Sequence, residues 1–306
     1  EAHPDALKIL EDNGLEPVYV PESDVDGSLE AARDSVGVVA NASLPFDEAF
    51  FELAPEVKVI GRMGVGYDNV DLEAAGRHGV QVVNTPLSVI EPVAEHTLML
   101  MLALVRRVVV GDREARAAVF RQPSNNPDFE LLGKTLGIIG LGRTGLRVAR
   151  IARLGFEMEI IYHDQRENSE AEAELGARRV ELDELLARSD IVTLHVNFSP
   201  ETEHLIDSAA LAKMKRGAYL INVSRGAVVD ETALVGVLRS GGIAGAGLDV
   251  YEEEPPAADN PLWELPNIIV TPHRAGFSTE GVYGSSMVVE DMVRVLNGEE
   301  PRFPVN

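Results

Sequence analysis

The chain of 306 residues carries 50 acidic against 27 basic residues, a formal net charge of −23, with 45% hydrophobic residues and no cysteine. That balance argues against nucleic-acid binding, which needs a basic face for the phosphates. The missing cysteines exclude disulfides, thiol catalysis and cysteine-ligated metals, while the length is ample for two domains with separate cores. In chain order, helix is expected over Asp5–Asn13, stopping at Gly14, then a strand over Val18–Val20 and a helix over Leu29–Asp34. A strand over Val36–Ala40, a helix over Phe46–Leu53 closed by Pro55, and a strand over Val57–Ile60 follow. Next come a helix over Leu72–His78 and a strand over Gln81–Val83. This βα series opens on a helix, so a further strand is expected upstream of Glu1, or has been lost.

From Pro92 to about Val110 the chain reads as one long helix. Its apolar run Leu98–Val105 stops at Arg106-Arg107 and is too short to span a bilayer. Gly111–Pro127 reads as polar and irregular. Leu136–Ile139 is a short buried strand leading into Gly140-Leu141-Gly142-Arg143-Thr144-Gly145, and Leu146–Leu154 an amphipathic helix leading out. Asp164 follows the last glycine by nineteen residues, at the end of Ile160-Ile161-Tyr162. Strand, glycine turn, helix, strand and acid form a dinucleotide fingerprint. The first glycine permits the turn, the second a close approach of pyrophosphate, and the third close packing of helix on strand. Helix N–H groups would meet the phosphates, and Asp164 an adenine ribose. The plainer alternative is a structural βα turn of another doubly wound protein. Later strands are expected over Ile191–His195, Tyr219–Val223, Ala246–Val250 and Ile268–Val270, and a last helix over about Thr279–Leu296.

The fold expected is therefore α/β, with two doubly wound parallel-sheet domains and a ligand cleft between them at the carboxyl ends of the strands. Residues 1–95 and 278–306 would form a flavodoxin-like substrate domain, and 96–277 a Rossmann cofactor domain. Three polar residues sit just beyond strands of the second domain: Arg225, Glu254 and His273. Arginine can hold a 2-keto acid by its carboxylate and polarise its carbonyl. Histidine can move the hydroxyl proton near neutral pH, and a carboxylate beside it would orient the ring and favour its protonated form. Taken singly, Glu252–Glu254 is a solvated acidic turn, His273 a strand-end histidine and Arg225 a helix cap. Their arrangement around one sheet favours chemistry. No pair among the remaining histidines, His96 and His195 included, has the spacing of a metal site, so no metal is expected. His96 reads as packing on the long helix, with the lining of an interdomain region as the alternative, and His195 as a strand-end residue, with an approach to the cofactor as the alternative.

Together these segments resemble the D-isomer-specific 2-hydroxyacid dehydrogenases. The likeness runs through Gly64-Val65-Gly66-Tyr67-Asp68-Asn69-Val70-Asp71, Asn84-Thr85-Pro86, Val93-Ala94-Glu95-His96-Thr97, Leu132 to Gly140, Asn222 to Gly226, Leu248 to Pro255 and Thr271-Pro272-His273. The resemblance implies Arg225, Glu254 and His273 as the catalytic set. It implies cofactor contacts from Gly140, Gly142, Arg143, Thr144, Gly145 and Asp164. Further contacts would come from Val196, Asn197, Thr202, Val223, Ser224, Arg225, His273 and Gly276, with Asp249 on the nicotinamide amide. The backbone of Val65 and Gly66 would close on the substrate carboxylate, beside Arg225 and His273. Asn197, Phe198, Thr144 and Arg274 depart from the family's usual residues; Arg274 is expected to face solvent or to add a positive charge near an acidic substrate.

Asp164 suits the free 2′-hydroxyl of NAD and repels the 2′-phosphate of NADP, a repulsion that Arg166 would soften. The expected activity is NAD-dependent interconversion of a small D-2-hydroxy acid and its 2-keto acid, in a cytoplasmic homodimer joined through the cofactor domain, with no membrane partner. Rival readings are a phosphoglycerate, phosphite or formate dehydrogenase on the same scaffold, or an NAD-sensing corepressor-like protein. Only five of the basic residues are lysine, which fits either adaptation to high salt or an arginine-rich proteome.

Overall fold

Two parallel sheets organise the chain. The computed structural model describes residues 2–21, 23–40, 44–120 and 128–306. The chain divides into two compact units, Glu1–Ile90 with Gly276–Asn306, and Glu91–Ala275.

In the first unit β1 (Gly37–Ala40), β2 (Val59–Arg62) and β3 (Gln81–Asn84) pair in that order, in parallel. Alternation along the strands sorts side chains to two faces. Ile60 and Val82 join Phe46, Phe50 and Phe51 on one face, while Val59 and Val83 meet Val288, Val289 and Met292 on the other. The C-terminal segment closes this unit, with Asn306 bonded to the Val82 amide at 2.8 Å and the Val305 amide to the Val82 carbonyl at 2.9 Å.

The strand expected over Val18–Val20 does not form. No ladder pairs the segment among the described residues, and Val18 and Tyr19 stay 69% and 67% exposed. β-propensity needs a partner edge to become a strand. The last helix is also two helices, Thr279–Ser286 and Val288–Leu296, parted at Met287. Buried Ser286 bonds back to the Val282 carbonyl at 2.8 Å, and such back-bonding bends helices.

In the second unit β4 (Thr135–Ile139), β5 (Glu159–His163), β6 (Arg178–Arg179), β7 (Ile191–Leu194), β8 (Tyr219–Asn222), β9 (Gly245–Leu248) and β10 (Ile268–Val270) form one sheet. Its order is β10-β9-β8-β7-β4-β5-β6, every pair parallel. Both faces are covered, so the strands read as continuous apolar runs. Leu136, Ile138, Ile160 and Tyr162 pack on one side with helices Ile90–Val105 and Arg143–Phe156, while Ile139, Ile161, Val192 and Leu194 pack on the other. Each fully buried Ile or Leu of these layers contributes about 1.5–3 kcal/mol.

Within Gly111–Pro127 the expected irregular course is corrected in its first part: a helix runs over Val108–Arg116, supported by the Asp112–Arg116 pair four residues apart at 2.9 Å. Residues 121–127 of that stretch lie outside the described residues. No helix among the described residues is long and apolar enough to cross a membrane.

The strand order reverses at β4, which is flanked by β5 on one side and β7 on the other, with Ile139 opposite His163 and Leu194. Ligands of open parallel sheets bind beyond the strand ends at such a switch point. The glycine turn that follows β4 lies there.

Candidate active site

The turn after β4 is set by two glycines. Gly140 has φ +89°, and a Cβ on it would lie 2.7 Å from the His195 carbonyl oxygen; a Cβ on Gly145 would lie 2.2 Å from the Gly140 carbonyl oxygen. No side chain fits at either place, which brings helix Arg143–Phe156 down against the strand. Its N-cap is Gly142, which supplies no side-chain oxygen to the first-turn amides. Those amides and the positive end of the helix dipole are therefore left to bind an anion, as a pyrophosphate requires.

Asp164 stands beside this turn. Its Oδ2 accepts the Leu141 amide at 2.8 Å and its Oδ1 the Arg166 amide at 3.0 Å, while Arg179 holds the Asp164 carbonyl at 2.8 and 3.0 Å. Each carboxylate oxygen keeps a further lone pair for a ribose hydroxyl. The turn after β7 is tied by Thr202, whose hydroxyl donates to the Asn197 carbonyl and accepts the Ser199 amide, both at 2.8 Å. Burial pushes the His195 pKa down to about 3, so its ring is neutral, with Nε2 3.0 Å from the Thr193 hydroxyl. In the first unit the backbone bends just after β2. The carbonyls of Gly64, Val65 and Gly66 are bound by the Thr85 amide, Asn84 Nδ2 and Arg62 Nε at 3.0, 2.9 and 3.0 Å. Because a trans peptide points its N–H opposite to its C=O, the Val65 and Gly66 amides face away from those partners.

The three polar residues singled out beyond β8, β9 and β10 come together within the second unit. Asn222, 1% exposed at the end of β8, shapes the turn that presents Arg225: its Nδ2 donates to the Arg225 carbonyl at 2.9 Å, and its Oδ1 accepts the Ser224 amide and hydroxyl at 3.0 and 2.8 Å. Arg225 Nη1 donates to the Ser224 carbonyl at 2.8 Å. Glu254 uses both oxygens, Oε1 accepting the Tyr251 amide at 3.0 Å and Oε2 lying 2.5 Å from His273 Nδ1. A carboxylate at Nδ1 fixes the proton there and leaves Nε2 as the working nitrogen.

The hydrogen bond to Glu254 raises the His273 pKa above the ordinary histidine value; burial and the Arg225 charge oppose it without reversing it. Burial pulls the Glu254 pKa upward, but the His273 hydrogen bond and charge, the Tyr251 amide and Arg225 outweigh it, so its carboxyl stays below the usual range. The result is an imidazolium–carboxylate pair next to a guanidinium, an arrangement able to bind an anion, polarise a carbonyl and deliver a proton.

Sequence reasoning names the other members of this cluster but not the bonds they make. Asp249, expected on the nicotinamide amide, is 1% exposed, and its carboxylate accepts the Thr271 hydroxyl at 2.5 Å and the Arg274 and Ala275 amides at 2.9 and 2.7 Å. His96 lies 2.9 Å from the Thr271 hydroxyl rather than merely packing, a contact across 175 residues of sequence; the one signal for it is an imidazole just before the apolar run Leu98–Val105 of the helix. Arg274 is exposed, and its charge acts on His96.

Residues 98–275 match a protein-family model described as the NAD binding domain of D-isomer specific 2-hydroxyacid dehydrogenase. A glyoxylate reductase of Korarchaeum cryptofilum is 41% identical over 282 residues, covering 91% of this chain and 85% of that protein. A Thermus thermophilus protein of known structure is similar with a TM-score of 0.90 at 38% identity, over 100% of this chain and 98% of that one. D-lactate dehydrogenase of Aquifex aeolicus, solved with NAD and lactic acid, is similar with a TM-score of 0.82 at 32% identity, over 96% and 91% of the two chains.

Proposed function

Because the chain belongs to the D-isomer specific 2-hydroxyacid dehydrogenase family, oxidoreductases built on an NAD-binding domain, we propose that Arg225, Glu254 and His273 carry the interconversion of a small 2-keto acid and its D-2-hydroxy acid. Glyoxylate and glycolate, the latter without a stereocentre, are the simplest pair of this type. The observation that supports it most is the His273–Glu254 contact at 2.5 Å with the Arg225 charge acting on both.

In the direction of reduction, bound NADH supplies a hydride to the keto carbon. Arg225 binds the substrate carboxylate and draws charge onto the carbonyl oxygen. His273 Nε2 gives its proton to that oxygen, and Glu254 stabilises the cation beforehand and holds the ring in place afterwards. The outward amides of Val65 and Gly66 are assigned to the substrate carboxylate. Gly140, Gly142, Arg143, Thr144 and Gly145 are assigned to the pyrophosphate, Asp164 to the adenine ribose, and Val196, Asn197, Thr202, Val223 and Ser224 to the walls of the cofactor site. A cytoplasmic location belongs to the same proposal, since NADH is an intracellular reductant.

Steady-state kinetics with NADH across glyoxylate, hydroxypyruvate, pyruvate, branched 2-keto acids and phosphohydroxypyruvate tests the reading. The highest kcat/KM is expected for glyoxylate or hydroxypyruvate; tight NADH binding without turnover of any of them would overturn it. With the best substrate, kcat/KM for NADH should exceed that for NADPH by about 10- to 100-fold, because a carboxylate near a phosphate costs about 1–4 kcal/mol at 4 Å. Asp164→Ser should erase most of that ratio. A ratio favouring NADPH in the unaltered protein would refute the role given to Asp164.

We also propose that the chain forms a homodimer through its cofactor domain. Met99 and Leu102 on helix Ile90–Val105, and Val108 and Val109 on the next helix, are exposed apolar side chains, a concentration expected of a surface covered by another subunit. Light scattering should give twice the chain mass, and the chain mass itself would contradict the proposal.

A further inference from the structure

We propose that His96 is a positioning residue for the catalytic imidazole, acting on His273 through Thr271 and Asp249; the proposal rests on the assignment of His273 as the proton donor. His96 on helix Ile90–Val105 meets residues just beyond the ends of β9 and β10 here, all within the second unit.

The direction of each hydrogen bond follows from donor counting. The Thr271 hydroxyl has one proton, and it lies 2.5 Å from the Asp249 carboxylate, a charge-assisted contact that claims that proton. Its oxygen is then an acceptor, facing His96 Nε2 at 2.9 Å. His96 must therefore carry its proton on Nε2, and the same nitrogen lies 3.5 Å from Asp249 Oδ1. Burial keeps this ring below the ordinary histidine pKa and the nearby Arg274 charge adds to that effect, while the Asp249 charge works against it. A neutral ring with Nε2–H satisfies every member: imidazole donates to hydroxyl, and hydroxyl donates to carboxylate.

What the chain of bonds holds is the segment that presents His273. Asp249 accepts the Arg274 and Ala275 amides with its carboxylate and the His273 amide, at 2.7 Å, with its backbone carbonyl. Thr271 is held at its other end, where its carbonyl accepts the Tyr251 hydroxyl at 2.9 Å. Tyr251 in turn gives its amide to Glu254. Between these anchors His273 has φ +47°, a left-handed backbone that a non-glycine residue keeps only when its surroundings impose it. The carboxylate that orients the ring and the loop that carries it thus share one network, and His96 is the donor at its far end. Asp249 turns inward to serve this network, which is why its side chain is buried although it follows a strand that points at the site.

The test compares His96→Phe, His96→Gln and Thr271→Val, each measured for kcat with the best 2-keto acid, NADH dissociation constant and Tm. His96→Phe is expected to lower kcat by about 10-fold, as loss of one positioning hydrogen bond does, with NADH affinity within twofold and Tm nearly unchanged. His96→Gln, which keeps a side-chain N–H donor, should recover most of the loss. Thr271→Val should match His96→Phe, and the double variant should be no slower than either single one, since both cut one chain of contacts. A His96→Phe enzyme within twofold of the original kcat, a glutamine variant as slow as phenylalanine, or multiplicative losses in the double variant would each overturn the positioning role. His273→Ala, assayed alongside, separates the two claims: a His273→Ala enzyme that still turns over overturns the catalytic assignment and this proposal with it, whereas failure of the His96 predictions where His273→Ala is inactive overturns the positioning role alone.

Discussion

Replacing His273 with alanine is expected to lower kcat for 2-keto acid reduction by about 10²–10⁴-fold at neutral pH, the range that general acid catalysis contributes. NADH binding should stay within a fewfold, because most of the residues assigned to the dinucleotide lie on other strand ends. Fluorescence titration of NADH beside single-turnover rates separates the two effects, and a variant that keeps turnover would remove His273 from the chemistry. The pH profile carries a second part of this prediction. Reduction consumes the proton on His273, and the Glu254 hydrogen bond lifts its pKa above the ordinary value. Reductive kcat/KM should therefore fall as pH rises through that raised pKa, on the alkaline side of where an ordinary histidine would lose its proton. Oxidation needs the deprotonated ring, so its rate should rise over the same interval. Glu254→Gln removes the carboxylate charge, and the alkaline edge of the reductive profile should move to lower pH.

How much of this could be seen in the sequence depended on how local each cause is. The fingerprint turn was legible because its constraints act within a few residues: Gly140 and Gly145 are excluded from any larger side chain by their own turn and the next strand. The cluster of Arg225, Glu254 and His273 was legible for a related reason. Each lies a few residues beyond a short apolar run, and parallel strands place their carboxyl ends on one edge. Features set by distant partners were not legible. Val18–Val20 has the composition of a strand, yet strand formation depends on an edge that lies elsewhere in the chain. The break at Met287 follows a buried serine, Ser286, bonding back within the helix, which hydrophobic period alone does not register. His96 reads as a packing residue because nothing near it in sequence reveals Thr271 or Asp249.

Arg225 carries the other large expected effect, and it is of a different kind. A guanidinium–carboxylate pair makes two charge-assisted hydrogen bonds, each contributing about 1.5–3 kcal/mol, so Arg225→Gln should cost about 10²–10⁴-fold in kcat/KM for the 2-keto acid. Most of the loss should fall on KM for the keto acid, with the remainder on kcat through lost polarisation of the carbonyl, and little on KM for NADH. Arg225→Lys keeps the charge but not the planar fork, so it should recover only part of the deficit. A loss confined to NADH affinity would assign Arg225 to the cofactor instead. The same variant has an electrostatic signature opposite to that of Glu254→Gln. Arg225 disfavours the protonated His273 that Glu254 favours, so its removal should move the alkaline edge of the reductive profile to higher pH. Opposite displacements of one titration by two neighbouring substitutions would tie both residues to the same imidazole, a result that general disruption of the site does not produce.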